Sequence, residues 1–305
     1  MPGRHADAGG TGHYFAGLPN ARDTVMPAPG YYALLYSIYY SADRYYNDNG
    51  QSVDSVKLPD GTKANVNADV NLFVLAPAFI WVADWDVLGG HYGAYIVPTF
   101  SNTSIDAEVS TLTGLGRNAK GSTFGMGDLF VQPIWLGWNK KHWDFTVGYG
   151  FYAPTGRFDA GSRDNIGLGF WTHQFQGSVA WYPFTNRGTA VIGTGTYEIN
   201  QNAEGEDLTP GQRASLNLAI DQYLPLDEQF LLDVAVTGYG QWQTTDDTGS
   251  DAANNNRDSV YGVGPQIGIV YLPSKISATF RWNHEVWAQD RIAGDVFALT
   301  LGVGF

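Results

Sequence analysis

Apolar residues recur at every second position over segments of roughly ten residues along much of this chain. In the C-terminal segment one face carries Phe297, Leu299, Leu301, Val303 and Phe305, while the positions between them are Ala, Thr or Gly. Segments near 143–152, 213–221, 230–241 and 276–285 repeat this alternation. Such strands fit between lipid on one side and a lumen on the other. Because lipid offers no hydrogen-bond partner to a sheet edge, the pattern predicts an all-β, closed transmembrane barrel.

Turn residues divide the chain into about twelve antiparallel up-and-down strands. The candidate strands lie near 30–42, 64–82, 89–101, 125–138, 142–153, 166–182, 189–200, 212–223, 229–243, 259–271, 275–287 and 295–305. Short turns are expected at Asp84–Asp86, Asn139–Lys141, Pro183–Arg187, Leu224–Glu228 and Leu272–Ser274, between polar loops at 43–63, 102–124, 154–165, 201–211 and 244–258. Short periplasmic turns, long extracellular loops and an even strand number are typical of bacterial outer-membrane barrels.

Composition excludes several other classes of protein. Charged residues make up only 15% of the chain, yet the most apolar stretch, Leu72–Ala83, is too short for a membrane helix and contains Pro77. The net charge of −13 argues against a nucleic-acid partner. Cysteine is absent, which removes disulfides and thiol chemistry. The segment after Met1 has no apolar core typical of a signal peptide, so we interpret Met1 as placed before a mature secreted sequence.

Aromatic residues gather at the ends of the candidate strands, where interfacial girdles of membrane barrels lie. They are Tyr31, Tyr32, Trp81, Trp85, Trp135, Trp138, Trp143, Trp181, Tyr182, Tyr271 and Trp287. The alternative is that these rings form the core of a large soluble β-sandwich. That alternative explains neither the alternating loop lengths nor the terminal Phe305.

Several stretches resemble an outer-membrane family labelled "MetA-pathway of phenol degradation", also called SphA-like. They are Val25–Tyr32, Gly125–Pro133, Tyr149–Phe158 and Thr194–Asn200, and they run in order over most of the chain from about residue 25. The resemblance implies an association with breakdown of aromatic or hydrophobic compounds. In addition, a last strand ending at Phe305 resembles the signal read by the bacterial barrel-assembly machinery.

The periodicity assigns a set of polar and aromatic residues to the inward face, as lumen lining or ligand path. These are Asp128, Phe130, Gln132, Asp144, Tyr152, Gln174, Gln176, Glu198, Arg213, Asn217, Asp221, Asp233, Tyr239, Gln241, Arg281, Asn283 and Glu285. Buried charges must be paired, so the same residues could form internal salt bridges, with Arg213 and Arg281 neutralising carboxylates. A barrel of about twelve strands is wide enough to leave a lumen unless side chains or a plug fill it.

Residues 1–28 carry Gly and Pro at spacings that break regular structure, so we expect the barrel proper to span 29–305. The preceding segment is either a loose periplasmic tail or a plug that folds up into the lumen. Its apolar portion, Tyr14–Leu18, is the part expected to dock.

The sequence indicates no cofactor, no metal site and no enzyme. Acidic loop residues could hold a divalent ion through oxygen ligands, but a solvated surface is the preferred interpretation. None of the six histidines is followed two positions later by the serine found in outer-membrane phospholipases. An external protease would need a cluster of Asp and His at the outer rim of the barrel, which His173 and His284 could approach. The inside–outside alternation, however, places His173 on the lipid-facing side.

The expected function is passive uptake of small hydrophobic or aromatic compounds through the bacterial outer membrane. The expected partners are the lipid bilayer and lipopolysaccharide, the barrel-assembly machinery and a small hydrophobic solute. Two alternatives stay open: a general diffusion porin for polar solutes, and a closed structural barrel.

Overall fold

The computed structural model describes residues 12–53, 55–57, 63–111, 116–160, 162, 165–252 and 257–305. In these ranges the strands are β1 (Gly30–Tyr46), β2 (Ser55–Lys57), β3 (Lys63–Val87), β4 (Gly90–Val97), β5 (Phe100–Thr111), β6 (Gly116–Met126), β7 (Leu129–Asn139), β8 (Trp143–Ala153), β9 (Thr172–Trp181), β10 (Thr189–Asn200), β11 (Arg213–Pro225), β12 (Phe230–Gln243), β13 (Ser259–Tyr271), β14 (Ile276–Gln289) and β15 (Arg291–Gly304). The described part of the chain holds no helix that is both long and apolar enough for a membrane span.

The strands close into an antiparallel ring. Pairing runs from β1 through β15, β14 and onward in reverse chain order to β7, then through β4 to β3, and β3 pairs again with β1. Twelve strands therefore form the wall, as the alternation predicts, and the predicted fold class is confirmed. Strands β5 and β6 continue β4 and β7 beyond the ring at its outer end, where β5 pairs with the outer half of β3.

Three predicted boundaries are wrong. The segment 102–124 is not a loop, because β5 and β6 occupy most of it. The turn predicted at Asp84–Asp86 lies instead at Leu88 and Gly89, where both residues have positive φ, 53° and 74°, as a tight hairpin turn requires. The β14–β15 connection is short although it lies at the outer end, and it turns at Asp290 with φ of 52°.

The outward face is apolar across the middle of the wall. On β11, for example, Leu216, Leu218 and Ile220 point outward, whereas Ser215 and Asp221 are buried inside. Aromatic rings cluster outside at the strand ends, with Trp81, Trp85 and Tyr92 at one end and Trp242, Tyr261 and Trp287 at the other. A closed barrel with this apolar band and these girdles belongs in the bacterial outer membrane.

Three of the predicted girdle residues, Tyr32, Trp135 and Tyr182, face inward instead, and Tyr32 lies on the inner side of β1. Trp135 is only 2% exposed and packs against Met26 and Val82 inside the barrel. The cause is a β-bulge between Val131 and Ile134, where the extra residue inverts the inside–outside alternation. Tyr182 lies just beyond the end of β9 and donates a hydrogen bond to Asp144 in the interior, with 2.7 Å between the oxygens.

Candidate functional site

The predicted lumen residues all lie on the inner side of the wall. Gln176 and Asn217 are half-buried, and the remaining members of the set are buried. The burial has a specific cause, because residues 12–29, which precede β1, lie inside the barrel and contact these side chains. We call residues 12–29 the inner segment. The role of the lumen residues in a ligand path stays a prediction, as does the fold of residues 1–11, which lie outside the described residues.

The start of the inner segment lies at the outer end of the lumen. His13 Nε2 is 2.9 Å from Asp128 Oδ2, and His13 Nδ1 is 2.7 Å from Thr172 Oγ1. Asp128 also accepts hydrogen bonds from the backbone N–H groups of Gly156 at 2.9 Å and Leu168 at 2.7 Å. Burial alone would raise the pKa of Asp128, but these three donors outweigh it and hold that pKa below its ordinary 3.8.

Next along the inner segment, main-chain groups pair with side chains of the wall. The Tyr14 N–H donates to Glu198 Oε1 at 2.8 Å, and Gln241 Nε2 donates to the Tyr14 carbonyl at 2.9 Å. The Gly17 N–H donates to Asn217 Oδ1 at 2.7 Å. Gly17 has a φ of 78°, and a Cβ there would lie 2.6 Å from the Tyr239 ring, so only glycine fits this approach.

The chain then bends past a buried guanidinium. Arg281 donates hydrogen bonds to the carbonyls of Leu18, at 2.8 Å, and Pro19. Residues 18 and 19 lie outside the β-strands, so their buried carbonyls need other hydrogen-bond donors, and Arg281 supplies them. The predicted pairing of Arg281 with a carboxylate is therefore only part of its environment, because its direct hydrogen bonds go to the inner segment.

The lower part of the inner segment carries a buried ion pair. Arg22 contacts Asp221, whose side chain is fully buried, and donates to the carbonyls of Arg187 at 3.1 Å and Gly188 at 2.7 Å. The Arg22 guanidinium also lies 3.8 Å from the centre of the Tyr223 ring, a cation–π contact. Arg22 thus joins the inner segment to the periplasmic ends of strands β10 and β11.

Hydroxyl groups and an apolar side chain complete this lower attachment. Thr24 Oγ1 lies 3.0 Å from Ser178 Oγ and 2.8 Å from Thr194 Oγ1. The Thr146 hydroxyl donates to the Thr24 carbonyl at 3.1 Å. Met26 packs on Trp135 below them. The inner segment is therefore bound to opposite sides of the wall over its whole length.

A second charged network lies near the outer end, on strands β11 to β15. Arg213 binds Asp258 with 2.7 Å between nitrogen and oxygen, and Arg291 lies 3.4 Å from the same carboxylate. Glu285 accepts hydrogen bonds from the Tyr40 hydroxyl at 2.9 Å and the Tyr239 hydroxyl at 3.1 Å. All these charges are paired, so this part of the predicted lumen set forms the internal network that the sequence left as an alternative.

One side of the lumen is lined by a continuous row of aromatic rings. Tyr152, Phe130, Tyr95 and Trp135 follow each other with ring-centre distances of 4.4, 5.8 and 5.5 Å, and we call them the aromatic row. It runs from the outer end of β8 to the middle of β7. The inner segment covers it, with His13 on Tyr152 and Met26 on Trp135.

Little free space is left between the inner segment and the wall. A cavity of about 20 Å³ lies beside Gly17, Asn217 and Arg281. That volume holds roughly one water molecule, whereas a cavity of about 150 Å³ is needed for benzene. Among the described residues, the inner segment fills this part of the lumen in this conformation.

Sequence reasoning missed His13, Arg22, Thr172 and Gln266 as interior residues. Gln266 donates to Asp233 at 2.9 Å and accepts from the Ala21 N–H at 3.1 Å. The inside–outside alternation alone would have assigned Thr172 and Gln266 to the interior, since they share the inward face with Gln174 and Gly268. His13 and Arg22 lie in irregular chain, where no periodicity marks their partners. As for the loop acids, no group of three or more His, Asp or Glu able to hold a metal ion occurs among the residues described.

Known proteins share this fold at low sequence identity. An outer membrane channel from Pseudomonas putida F1 superposes with a TM-score of 0.65 at 13% identity, covering 94% of this chain and all of that one. The β domain of the Bordetella autotransporter BrkA gives a TM-score of 0.48 at 10% identity over 92% of this chain and 100% of that one. A channel described as the CymD monoaromatic hydrocarbon channel gives 0.42 at 9% identity, covering 95% and 94% of the two chains. No curated protein sequence matches the chain significantly.

The family model gives the more specific result. It is described as the MetA-pathway of phenol degradation and matches residues 42–301, most of the barrel. That match confirms the resemblance noted in Gly125–Pro133, Tyr149–Phe158 and Thr194–Asn200. This chain belongs to the outer-membrane β-barrel family of the MetA-pathway of phenol degradation.

Proposed function

We propose that this barrel carries small hydrophobic or aromatic molecules across the outer membrane by passive diffusion. The observation that carries the proposal is the aromatic row, which offers ring faces to a solute from the outer end of β8 to the middle of β7. Flat aromatic molecules stack on such faces at little cost in desolvation. The family description and the P. putida channel, a protein of the same fold, support a role in the uptake of such compounds.

The inner segment must move for a solute to pass. Phenol is far larger than the cavity of about 20 Å³ beside Gly17. Besides the Arg22–Asp221 ion pair, the stacking of His13 and the packing of Met26, the inner segment is held mainly by hydrogen bonds to wall side chains. Water in the lumen can replace such hydrogen bonds at a modest net cost, about 0.5–1.5 kcal/mol each. The wall strands themselves pair with each other all round the ring and do not depend on the inner segment for their backbone hydrogen bonds.

Uptake into vesicles tests the proposal. Phospholipid alone passes phenol quickly, so the purified chain is placed in vesicles whose outer leaflet is lipopolysaccharide. We expect radiolabelled phenol and toluene to enter faster than into vesicles without protein, with no acceleration of a neutral disaccharide. Equal rates with and without protein contradict the proposal. Acceleration of the disaccharide, with stable ion conductance in a planar bilayer, would identify a general diffusion pore instead.

The filled lumen favours a second candidate function, a closed structural barrel. A cavity of about 20 Å³ and paired charges along both ends of the lumen are what a permanently closed barrel requires. The same vesicles decide between the two, because a closed barrel accelerates neither phenol nor the disaccharide and shows no conductance.

The proposal includes specific partners and excludes a catalytic step. Outward aromatic rings at both rims meet acyl chains and lipopolysaccharide, and strand β15 with Phe305 is the part offered to the barrel-assembly machinery. The positions of His173 and His284 support a non-catalytic role, since both lie on the outward side of their strands, where His173 binds Tyr149 and His284 binds Asp295, each at 2.8 Å.

A further inference from the structure

The His13 ring sits in an enclosure built of aromatic and polar groups. It stacks on Tyr152 with 4.7 Å between ring centres and 20° between planes, and the edge contact with Phe170 has a centre distance of 4.9 Å and an angle of 76°. The His13 side chain is 3% exposed. An imidazole of the chain itself is therefore held face to face and edge to face, the two arrangements in which aromatic molecules are bound.

The polar groups at the ring edge stay in place without His13. Asp128 is fixed by the backbone N–H groups of Gly156 and Leu168. Thr172 donates its hydroxyl hydrogen to Asn200 Oδ1 at 2.7 Å. Asp128 is thus a positioned hydrogen-bond acceptor beside a stacking surface, and a phenolic O–H can donate to it as the His13 N–H does.

The enclosure is also the outer end of the aromatic row. Tyr152, which stacks on His13, is followed by Phe130 at 4.4 Å between ring centres. A solute ring in the place of His13 would therefore have the next ring face of the path beside it. By contrast, the carboxylates of the second charged network, Asp258 and Glu285, lie within ion-pair distance of arginines and are not offered to a solute hydroxyl.

We propose that the His13 imidazole occupies the binding subsite of a monoaromatic solute carrying a hydroxyl group, formed by Tyr152, Phe170, Asp128 and Thr172. Solute and His13 compete for this subsite, so solute binding displaces the start of the inner segment from the aromatic row. The inference rests on the proposed function, whose solute class it narrows and whose entry point it locates.

Binding of 4-fluorophenol to the full chain in lipid nanodiscs, followed by fluorine NMR against empty nanodiscs, tests the subsite. We expect the His13→Ala variant to bind at least about tenfold more tightly than the parent, because a stacked and hydrogen-bonded competitor is gone. Adding Tyr152→Leu to His13→Ala should remove most of this binding, whereas adding Tyr31→Leu, at an exposed outward position, should not. Phenol should displace the probe, and cyclohexanol, which has the hydroxyl on a saturated ring without a flat aromatic face, should not.

Two results overturn the subsite: affinity of His13→Ala equal to that of the parent, or full affinity retained with Tyr152→Leu. Gel mobility with and without heating shows whether each variant is a folded barrel. If fluorophenol binding depends on Tyr152 but phenol enters no faster than into empty vesicles, the subsite is supported and the transport function is contradicted. If phenol uptake is accelerated but fluorophenol binding does not depend on Tyr152, the transport function is supported and the subsite is contradicted.

Discussion

Replacing Arg22 with methionine should release the inner segment. Methionine keeps an unbranched apolar stem and removes the guanidinium that contacts the buried Asp221 and the carbonyls of Arg187 and Gly188. Asp233 lies beside Asp221, so the Arg22→Met variant leaves neighbouring carboxylates without their cation while the segment is docked. When the segment leaves, water in the lumen rehydrates both acidic side chains, so the substitution does not destabilise the undocked form.

The size of the effect follows from this asymmetry. Removing one partner of a buried ion pair costs about 3–5 kcal/mol, mostly through the charge left behind. The Arg22 side chain is 18% exposed and that of Asp221 0%, so solvent screens the ion pair only slightly. We allow for this slight screening by taking the lower end of the energy range. A loss of about 3 kcal/mol raises the undocked fraction about a hundredfold. The Arg22→Met/Asp221→Asn variant should recover much of this loss, because the uncompensated charge is then gone.

Cysteine labelling measures the undocked fraction directly, because the chain has no cysteine of its own. Thr24→Cys places a thiol among Ser178 and Thr194, where a maleimide reaches it only after undocking. With Arg22→Met we expect its labelling to accelerate about a hundredfold, whereas a thiol at the exposed Gln51 should react at an unchanged rate. The reasoning is refuted if the rate at position 24 rises less than about threefold, or if Asp221→Asn restores nothing.

Three further perturbations have defined outcomes. Thr24→Cys with Ser178→Cys, whose parent hydroxyl oxygens lie 3.0 Å apart, should cross-link the inner segment to β9, stop phenol uptake when oxidised and restore it on reduction; undiminished uptake by the oxidised form contradicts plug movement. Because its pKa lies below 3.8, Asp128 stabilises the docked start of the segment above that pH and loses this effect as pH falls through its folded-state value. Amide exchange at Gly156 and Leu168, corrected for intrinsic pH dependence, should therefore accelerate in acid, and not in Asp128→Asn, where it is fast throughout. Ile220→Lys, on the lipid-facing side at 62% exposure, should lower the free energy of unfolding from vesicles by about 2–4 kcal/mol, whereas Glu228→Lys, at an exposed turn position, should leave it unchanged.

The wall was predictable where lipid dictates the pattern. A residue facing acyl chains must be apolar, so period-two alternation locates β8, β10, β11, β12 and β13 closely. The pattern disappears where strands leave the bilayer. In Ser101–Ser104 four successive residues are polar, so the sequence shows no alternation there and predicts a loop in place of β5.

The interior was less predictable, and two residues show why. Trp135 follows a bulge, and only Pro133, a residue that sheets tolerate at bulges, hints that alternation is interrupted there. Arg22 lies in chain without periodicity, so its contact with Asp221, almost two hundred positions later, has no local signal. Inward-facing residues of the strands could thus be predicted, but not the groups that fill the space between them. The proposed division of the chain at residue 29 and the ligand-path role of the lumen residues stay predictions.

The place where the ring closes has a consequence for biogenesis. Strand β1 pairs with β15 from Tyr32 to Tyr46 and with β3 on its other side, so the first and last strands of the wall meet at β1. The inner segment immediately precedes β1, yet its hydrogen bonds reach β14 through Arg281 and β15 through Thr300. Those partners are in position only after almost the whole wall has assembled. We therefore expect docking of the inner segment to be a late step of assembly, one that fills a cylinder whose wall is already nearly complete.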